Sequence, residues 1–552
     1  MRAMIGALAA VLALTLAGCA GGAGDQGLPP APAPAEGEYN PQPYDNIRDG
    51  GTYTTAIGEI NPQFNVLQGD STADTRTLWR WSNAMPITFT AKGDPVVNPD
   101  YLVSATDETV DGNTRITYTI NPAATFNDAT PMDWRIFENQ ARILSGKDPA
   151  YIVGSSDGYD RIASVTRGAD DRQAIVTFAG INLWWPGLFN EWLHPAVNTP
   201  ELFNQGYLNN PHAEWGAGPY TIATLDQQVG TAVFERNPKW WGKPGKLDSR
   251  TYVVYEAQAS LNAFKNGQLD ATGASSAERL AQVRDLPGIE IRRGTSPFTS
   301  LFTFNGDSPI LSDIAVRQAL MQAVDRAQLG KILHQGLDYE ETPPGSLTLY
   351  RFQEGYEDNF SKIVTFDPEA AKRGLDAAGW VPGPDGVRVK DGRPLVIEYV
   401  RTGDSPVGIA AATATAAMLK NVGVTMNIRA VQSSEFSSVV AERSFDLFFS
   451  AYSSSDPYGF AYFCQAWCSN STLNNSKTGT PELDEKVRAV QALPTEAEVI
   501  TQGNAVETEA FARYGVMPID NGPTIVAVKQ GLANVGAGLF FVPLPETVGW
   551  QK

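Results

Sequence analysis

The chain has 552 residues, 42% of them hydrophobic, and is far longer than one hydrophobic core usually supports, so two or three lobes are expected. Its 12 Trp and 24 Phe are ample for large cores. The formal net charge of −19 argues against nucleic acid or an anionic lipid surface as a main partner, because both need a basic patch.

Met1-Arg2 gives a positive start, and the run from Ala3 to Leu16 is almost wholly apolar. That is the layout of a secretory signal at residues 1–18, too short to span a bilayer as a stable helix. Its end, Leu16-Ala17-Gly18-Cys19, resembles the lipobox of bacterial lipoproteins, in which the cysteine is lipidated and becomes the mature N-terminus. The other reading is an ordinary signal cut nearby, leaving Cys19 a free thiol. Several acyl chains on one residue satisfy the two-signal requirement for stable anchoring. Residues 19–46 then form a tether centred on Pro29-Pro30-Ala31-Pro32-Ala33-Pro34, poor in bulky apolar residues and extended at roughly 3.1 Å per residue. The expected location is the extracytoplasmic face of the cell membrane, lipid-anchored. No later run is long and apolar enough to span, so a soluble body is expected.

Folded sequence begins near Asp49. Gly51–Ile57, Ala174–Phe178 and Thr251–Tyr255 read as strands from their β-branched and aromatic content. Thr114–Ile120 alternates and follows the turn signal Asp111-Gly112. Helical patterns cover Ile314–Leu333, Pro368–Ala378 and Ile409–Asn421, the last with Gly423 just past its end. Strands alternating with helices in the second half predict an α/β fold. Cys464 and Cys468, outside the reducing cytosol, are most simply a local disulfide. A metal site would need more ligands, and the three histidines, His194, His212 and His334, lie far from that pair and from one another. No metal and no cofactor are expected.

Several segments together resemble the family 5 extracellular solute-binding proteins of ABC importers. These are Gly216-Ala217-Gly218-Pro219-Tyr220, Arg236-Asn237-Pro238-Lys239-Trp240-Trp241, Ala263–Asp270, the pair Leu311–Asp313 with Val316–Arg326, and Asp367-Pro368 with Ala377–Trp380. Asp385-Gly386 and Lys390-Asp391-Gly392 resemble the hairpin that follows. The resemblance spans roughly residues 50 to 550 in family order. It implies a three-lobed periplasmic-binding-protein clamshell of type II, peptide-binding subclass. Lobe I is expected from 47–90, 211–305 and 523–552, lobe II from the insertion 91–210, and lobe III from 306–522. Ligand would lie between lobes I and III, and hinge closure would present the closed form to membrane permease subunits.

The resemblance places the ligand-pairing stretch at 445–457, with Tyr452, Ser453, Ser454, Ser455 and Asp456 as candidates. The position where peptide-binding members carry an ammonium-binding aspartate falls on Ser453, a departure that gives up a charge-assisted bond. Asp456 either takes over that role or closes a turn with Pro457. Leu67 and Gln68 resemble the cleft edge of the first lobe, or else mark a plain strand-to-turn transition. Trp467 and the aromatics near it suit apolar side chains or sugar faces, or belong to core.

Gly154-Ser155-Ser156-Asp157-Gly158 matches the G-x-S-x-G elbow, but a hairpin rather than a helix is predicted after it, so no catalysis is expected. The reading is a monomeric, membrane-anchored substrate-binding component of an ABC importer that captures di- or oligopeptides, with no nucleic-acid partner. The alternatives are a non-transport envelope lipoprotein acting in glycolipid or cell-wall assembly on the same fold, and an importer subunit for a glycoside or haem. The Gly/Ala/Pro-rich N-terminus resembles actinobacterial lipoproteins. Cys19→Ser is expected to leave the folded body intact and to move it from the membrane fraction to the soluble one. Its persistence in washed membranes would overturn the anchor.

Overall fold

The computed structural model describes residues 37–552, apart from 404, 433, 434 and 455. The signal, Cys19 and most of the tether lie outside the described residues, as does Ser455. Among the described residues, no helix is long and apolar enough to cross a membrane.

The first lobe is built on a seven-stranded sheet whose strands come from three separated stretches of chain. In spatial order they are Ile289–Thr295, Pro523–Lys529, Ala271–Gly273, Thr52–Ile57, Ser249–Val254, Thr231–Arg236 and Tyr220–Asp226. Thr52–Ile57 pairs in parallel with Ser249–Val254 along its whole length, so the N-terminal strand sits inside the sheet rather than at its edge. Arg250 is buried here, which would be costly without partners. Its guanidinium donates to the Tyr53 carbonyl at 2.9 Å and lies over the rings of Tyr53 and Tyr252, 4.0 and 3.6 Å from their centroids.

The second lobe carries a four-stranded antiparallel sheet in the order Leu102–Val110, Asn113–Ile120, Gln173–Phe178, Ile162–Arg167. Asp111 and Gly112, between paired Val110 and Asn113, have φ of +49° and +77°, as a two-residue hairpin with two left-handed positions requires. Every second residue of Asn113–Ile120 is buried. Ile116, Tyr118 and Ile120 share one hydrophobic cluster with Phe137, Trp192 and, from the first lobe, Tyr53 and Tyr252. The first two lobes therefore pack around a continuous core.

The third lobe has its own core and a five-stranded sheet ordered Thr425–Val431, Val396–Thr402, Leu447–Ser453, Phe298–Phe304, Val516–Asp520. Phe298–Phe304 was expected in lobe I, whose second piece ran to residue 305. It pairs instead with Leu447–Ser453 and Val516–Asp520, so the lobe boundary lies before Phe298. The predicted helix Ile314–Leu333 is also two helices, Ile314–Gln322 and Arg326–Leu333. Asp325 breaks it by capping the second, its side chain accepting from the Gln328 amide at 3.0 Å. Asp367 caps Pro368–Ala377 in the same way. The chain passes between the first and third sheets at Ser296-Pro297 and returns at Asn521-Gly522, with the Ser296 amide donating to the Gly522 carbonyl at 3.4 Å.

Near the C-terminus, the short turn Pro545–Thr547 buries Glu546. Burial pushes its carboxyl up to about 7, with Asp100 adding to the rise and Lys243 opposing it. Below pH 4.5 this group is protonated whether the chain is folded or not. As pH rises towards 7 the unfolded chain ionises first, so folded stability falls across that window, by roughly 3 kcal/mol in all. Glu546→Gln is expected to match the parent's unfolding free energy at pH 4 and exceed it at pH 8, measured by urea denaturation. Equal stability at both pH values would contradict the burial argument.

Candidate functional site

A cavity of about 470 Å³ lies between the second and third lobes. One wall is the turn Val153–Gly158 with Asp160, Arg161 and Trp184; the other is Tyr462, Cys464, Gln465, Asn470–Leu473 and Gln491. The first wall is held from behind by the first lobe. The Gly154 amide donates to the Leu67 carbonyl at 2.9 Å, and Gln68 bridges to Val153. Gly158, at φ +76°, turns the chain into the short helix Tyr159–Arg161. No strand among the described residues leads into Ser156, and the one short turn after it gives way to the hairpin Ile162–Phe178, so the G-x-S-x-G segment lacks the strand–serine–helix context of a nucleophile elbow.

Asp157 is the charged centre of this wall. Its Oδ2 accepts from Ser155 Oγ at 2.7 Å and, across the cavity, from Gln465 Nε2 at 2.7 Å. Burial pushes the Asp157 carboxyl up, while the Ser155 and Gln465 hydrogen bonds draw it back. Asp160 beside it is also raised, first by burial and then by Asp157, against the pull of Arg161. Arg161 makes a second link between the lobes: its guanidinium donates to the Ile181 carbonyl at 2.6 Å and to the Gln491 carbonyl of the third lobe. Cys464 and Cys468 are joined by a disulfide with Cα atoms 4.7 Å apart. It staples the single turn Phe463–Trp467, which carries Gln465 towards Asp157.

Tyr452 and Ser453 end the middle strand of the third sheet. That strand pairs with Phe298–Phe304 along its whole length but with Val396–Thr402 only at Leu447 and Phe448. Its edge from Phe449 to Ser453 is therefore unpaired on that side among the described residues. Tyr452 Oη donates to the carbonyl of Leu473, a cavity residue, at 2.9 Å. Ser453 is exposed, and Ser454 is fixed by its amide on the Pro297 carbonyl at 2.9 Å and by the Tyr350 hydroxyl at 3.0 Å.

Asp456 is buried, with Oδ1 accepting from the Tyr458 amide at 2.9 Å and Oδ2 from the hydroxyl of Tyr462. It faces Gly187 of the second lobe, where an added Cβ would stand 3.6 Å from its Oδ2. The carboxylate thus closes its own turn and orients a cavity tyrosine. Gln68 is buried and folds back on Asp70, with Nε2 3.0 Å from its Oδ2, while Leu67 is half-buried against the first core. Both support the wall from behind instead of presenting side chains to the cavity. Trp467 requires correction. It is 1% exposed in the third core, its ring 5.0 Å from that of Phe511, on the face of its helical turn away from the cavity. Asp157, Asp160, Arg161 and Gln465 line the cavity, and none of them was singled out as a binding candidate in the sequence. Only the glycine-bounded turn 154–158 marked any of them in the sequence.

Residues 99–474 match the middle region of the bacterial extracellular solute-binding proteins, family 5. The oligopeptide-binding protein OppA of Mycobacterium tuberculosis is 34% identical over 539 residues, covering 96% of this chain and 90% of the relative. Among solved structures, the periplasmic EDTA-binding protein EppA superposes with a TM-score of 0.82 at 21% identity, covering 93% of this chain and 98% of that one. Lactococcal OppA, complexed with an endogenous peptide in the closed conformation, gives 0.75 at 16% identity, covering 91% and 100%. These likenesses establish a type II periplasmic-binding-protein fold.

The Gln465–Asp157 bond crosses between the second and third lobes. Hydrogen bonds to charged groups contribute about 1.5–3 kcal/mol, equivalent to roughly a tenfold or greater change in an open–closed ratio. Gln465→Ala is expected to enlarge the radius of gyration of the ligand-free protein in small-angle X-ray scattering. An unchanged radius would show that this bond does not hold the lobes together.

Proposed function

Because the chain belongs to the bacterial extracellular solute-binding proteins of family 5, we propose that it is the solute-binding component of an ABC peptide importer, tethered through Cys19 outside the membrane. The observation that carries the ligand assignment is a half-buried carboxylate, Asp157, in an interlobe cavity near an unpaired strand edge. A peptide offers matching groups. Its backbone amides and carbonyls can extend the sheet along Phe449–Ser453, as strand addition does elsewhere. Its α-ammonium supplies the cation that the desolvated Asp157 carboxylate lacks, taking the charge-assisted role that Ser453 cannot fill. Both recorded donors to Asp157 use Oδ2, and a carboxylate has capacity for further bonds.

The volume falls within the roughly 300–1,000 Å³ of small-ligand sites, which favours short peptides over long ones. Contacts from both lobes make binding selective for the closed form, the form delivered to the permease.

The test is calorimetric titration with tripeptides bearing a free or an N-acetylated terminus. Free termini are expected to bind, acetylation to weaken binding at least tenfold, and Asp157→Asn to remove the difference between the two. Equal affinity for both peptides in the parent would remove Asp157 from ammonium recognition. Binding of glycans or glycolipids with no peptide binding would replace the peptide reading altogether.

A further inference from the structure

His334 follows the helix Arg326–Leu333 as its C-terminal cap and opens a strap that crosses from the third lobe to the first and back. Leu337, in mid-strap, is buried in the helical cluster of the first lobe with Leu261, Phe264 and Ile525. The strap then returns Glu341 to the crossover between sheets, where its Oε1 accepts from the amides of Asn521 and Gly522 at 2.8 and 3.2 Å. Asp520, the last residue of the third sheet before that crossover, faces the same point. His334 Nε2 lies 3.0 Å from Asp520 Oδ2 and 4.0 Å from Glu341 Oε1. Three histidines scattered in sequence promised no metal site, yet folding brings one of them against two carboxylates 7 and 186 residues away.

We propose that His334, Glu341 and Asp520 form a site for one divalent transition-metal ion of the zinc class, placed at the hinge between the first and third lobes. One nitrogen and two oxygen donors, from a helix end, a strap and a strand end, lie within 4.8 Å of one another. Tetrahedral donors about 2.1 Å from such an ion stand about 3.4 Å apart, a value that the two histidine distances bracket. Asp520 is 7% exposed, and its Oδ1 is buried with no hydrogen-bond partner. Buried orphan oxygens are rare and costly, and a bound ion is one of the few things that satisfies them. Among the described residues, no Lys or Arg pairs with either carboxylate, so the charge of the two acids is met only by His334 and by hydrogen bonds to Glu341 from Tyr339 and the crossover amides. A divalent ion balances that charge. The mixed imidazole and carboxylate set suits zinc better than calcium or magnesium, which take oxygen donors. Bound there, the ion fastens the strap to the crossover and limits the angles the hinge can adopt.

The test titrates the protein, passed over a chelating resin, with Co²⁺ and then Zn²⁺. One equivalent of Co²⁺ is expected to give visible d–d absorption that Zn²⁺ abolishes, and Zn²⁺ to raise the melting temperature. His334→Gln and Glu341→Gln should each lose the absorption while keeping the parent's near-ultraviolet circular dichroism. His212→Gln, which alters the exposed His212–Glu214 pair instead, should keep the absorption. If His334→Gln does not fold, Glu341→Gln decides. No absorption in the parent, or absorption equal to the parent's in folded Glu341→Gln, overturns the site.

Discussion

The central parallel pairing of Thr52–Ile57 with Ser249–Val254 sets the form of the rest of the molecule. A parallel pair cannot be closed by a tight turn, so a long excursion must leave the sheet and return to it. Here the first excursion, between those two strands, contains the whole second lobe. A later one, between Ile289–Thr295 and Pro523–Lys529, contains the third lobe, and these two strands pair antiparallel. The third lobe therefore hangs on two adjacent segments, Ser296-Pro297 and Asn521-Gly522. Two short neighbouring connections restrict relative motion to bending about one axis, the geometry of a hinge.

Cores follow the same division. The aromatic cluster of the first two lobes is continuous, while the third lobe has a separate core of its own. A continuous core resists relative displacement because close packing has no slack to absorb it. Separate cores can part at the cost of the contacts between them, some of which are polar. Gln465–Asp157 and Arg161–Gln491 are contacts of that kind, and they sit at the rim of the interlobe cavity. Apolar contacts cross the same boundary: Leu183 and Trp184 of the second lobe pack against the third core, and Phe89 and Phe540 of the first lobe cluster with Tyr350 of the third, so opening must part these as well.

Local features were legible in the sequence where one residue type has one mechanical use. Asp111-Gly112 is the left-handed two-residue turn that its neighbours required, and Asp367 caps the helix that starts at Pro368. Asp325 has the same capping chemistry but lay inside a hydrophobic period that read as continuous helix, so the break was hidden. Phe298–Phe304 fits a strand in either sheet, and only its partners, more than a hundred residues away, assign it to the third. Trp467 shows the limit for aromatics. Its neighbours Tyr462 and Gln465 face the cavity, and the winding of one short helical turn sends Trp467 into the core instead. Asp157 did not stand out in the sequence because its environment is made in part by Gln465, 308 residues on.

Two kinds of buried carboxylate remain after these assignments, and they differ in how their charge is met. Glu507 is fully buried but surrounded by donors: the Leu347 and Thr348 amides, the Thr348 hydroxyl and the Asn359 amide group. Such an acid needs nothing from outside, and it ties the loop at 346–348 to the helix Glu496–Phe511. Asp157 and Asp520 are less completely met, the first beside a cavity and the second with an oxygen left bare at the hinge. Incomplete compensation costs stability in the empty protein, and that cost is recovered when a cation arrives. In the proposed function the cation at Asp157 is a peptide ammonium, which would enter and leave with each transport cycle. Beside Asp520, Glu341 is already held by the two crossover amides, so part of the proposed ion's cage is fixed in advance. Under the two proposals the same electrostatic deficit would serve exchange in one place and a held ion in the other, and the difference lies in how many of the contacts around the cation the protein itself has already fixed.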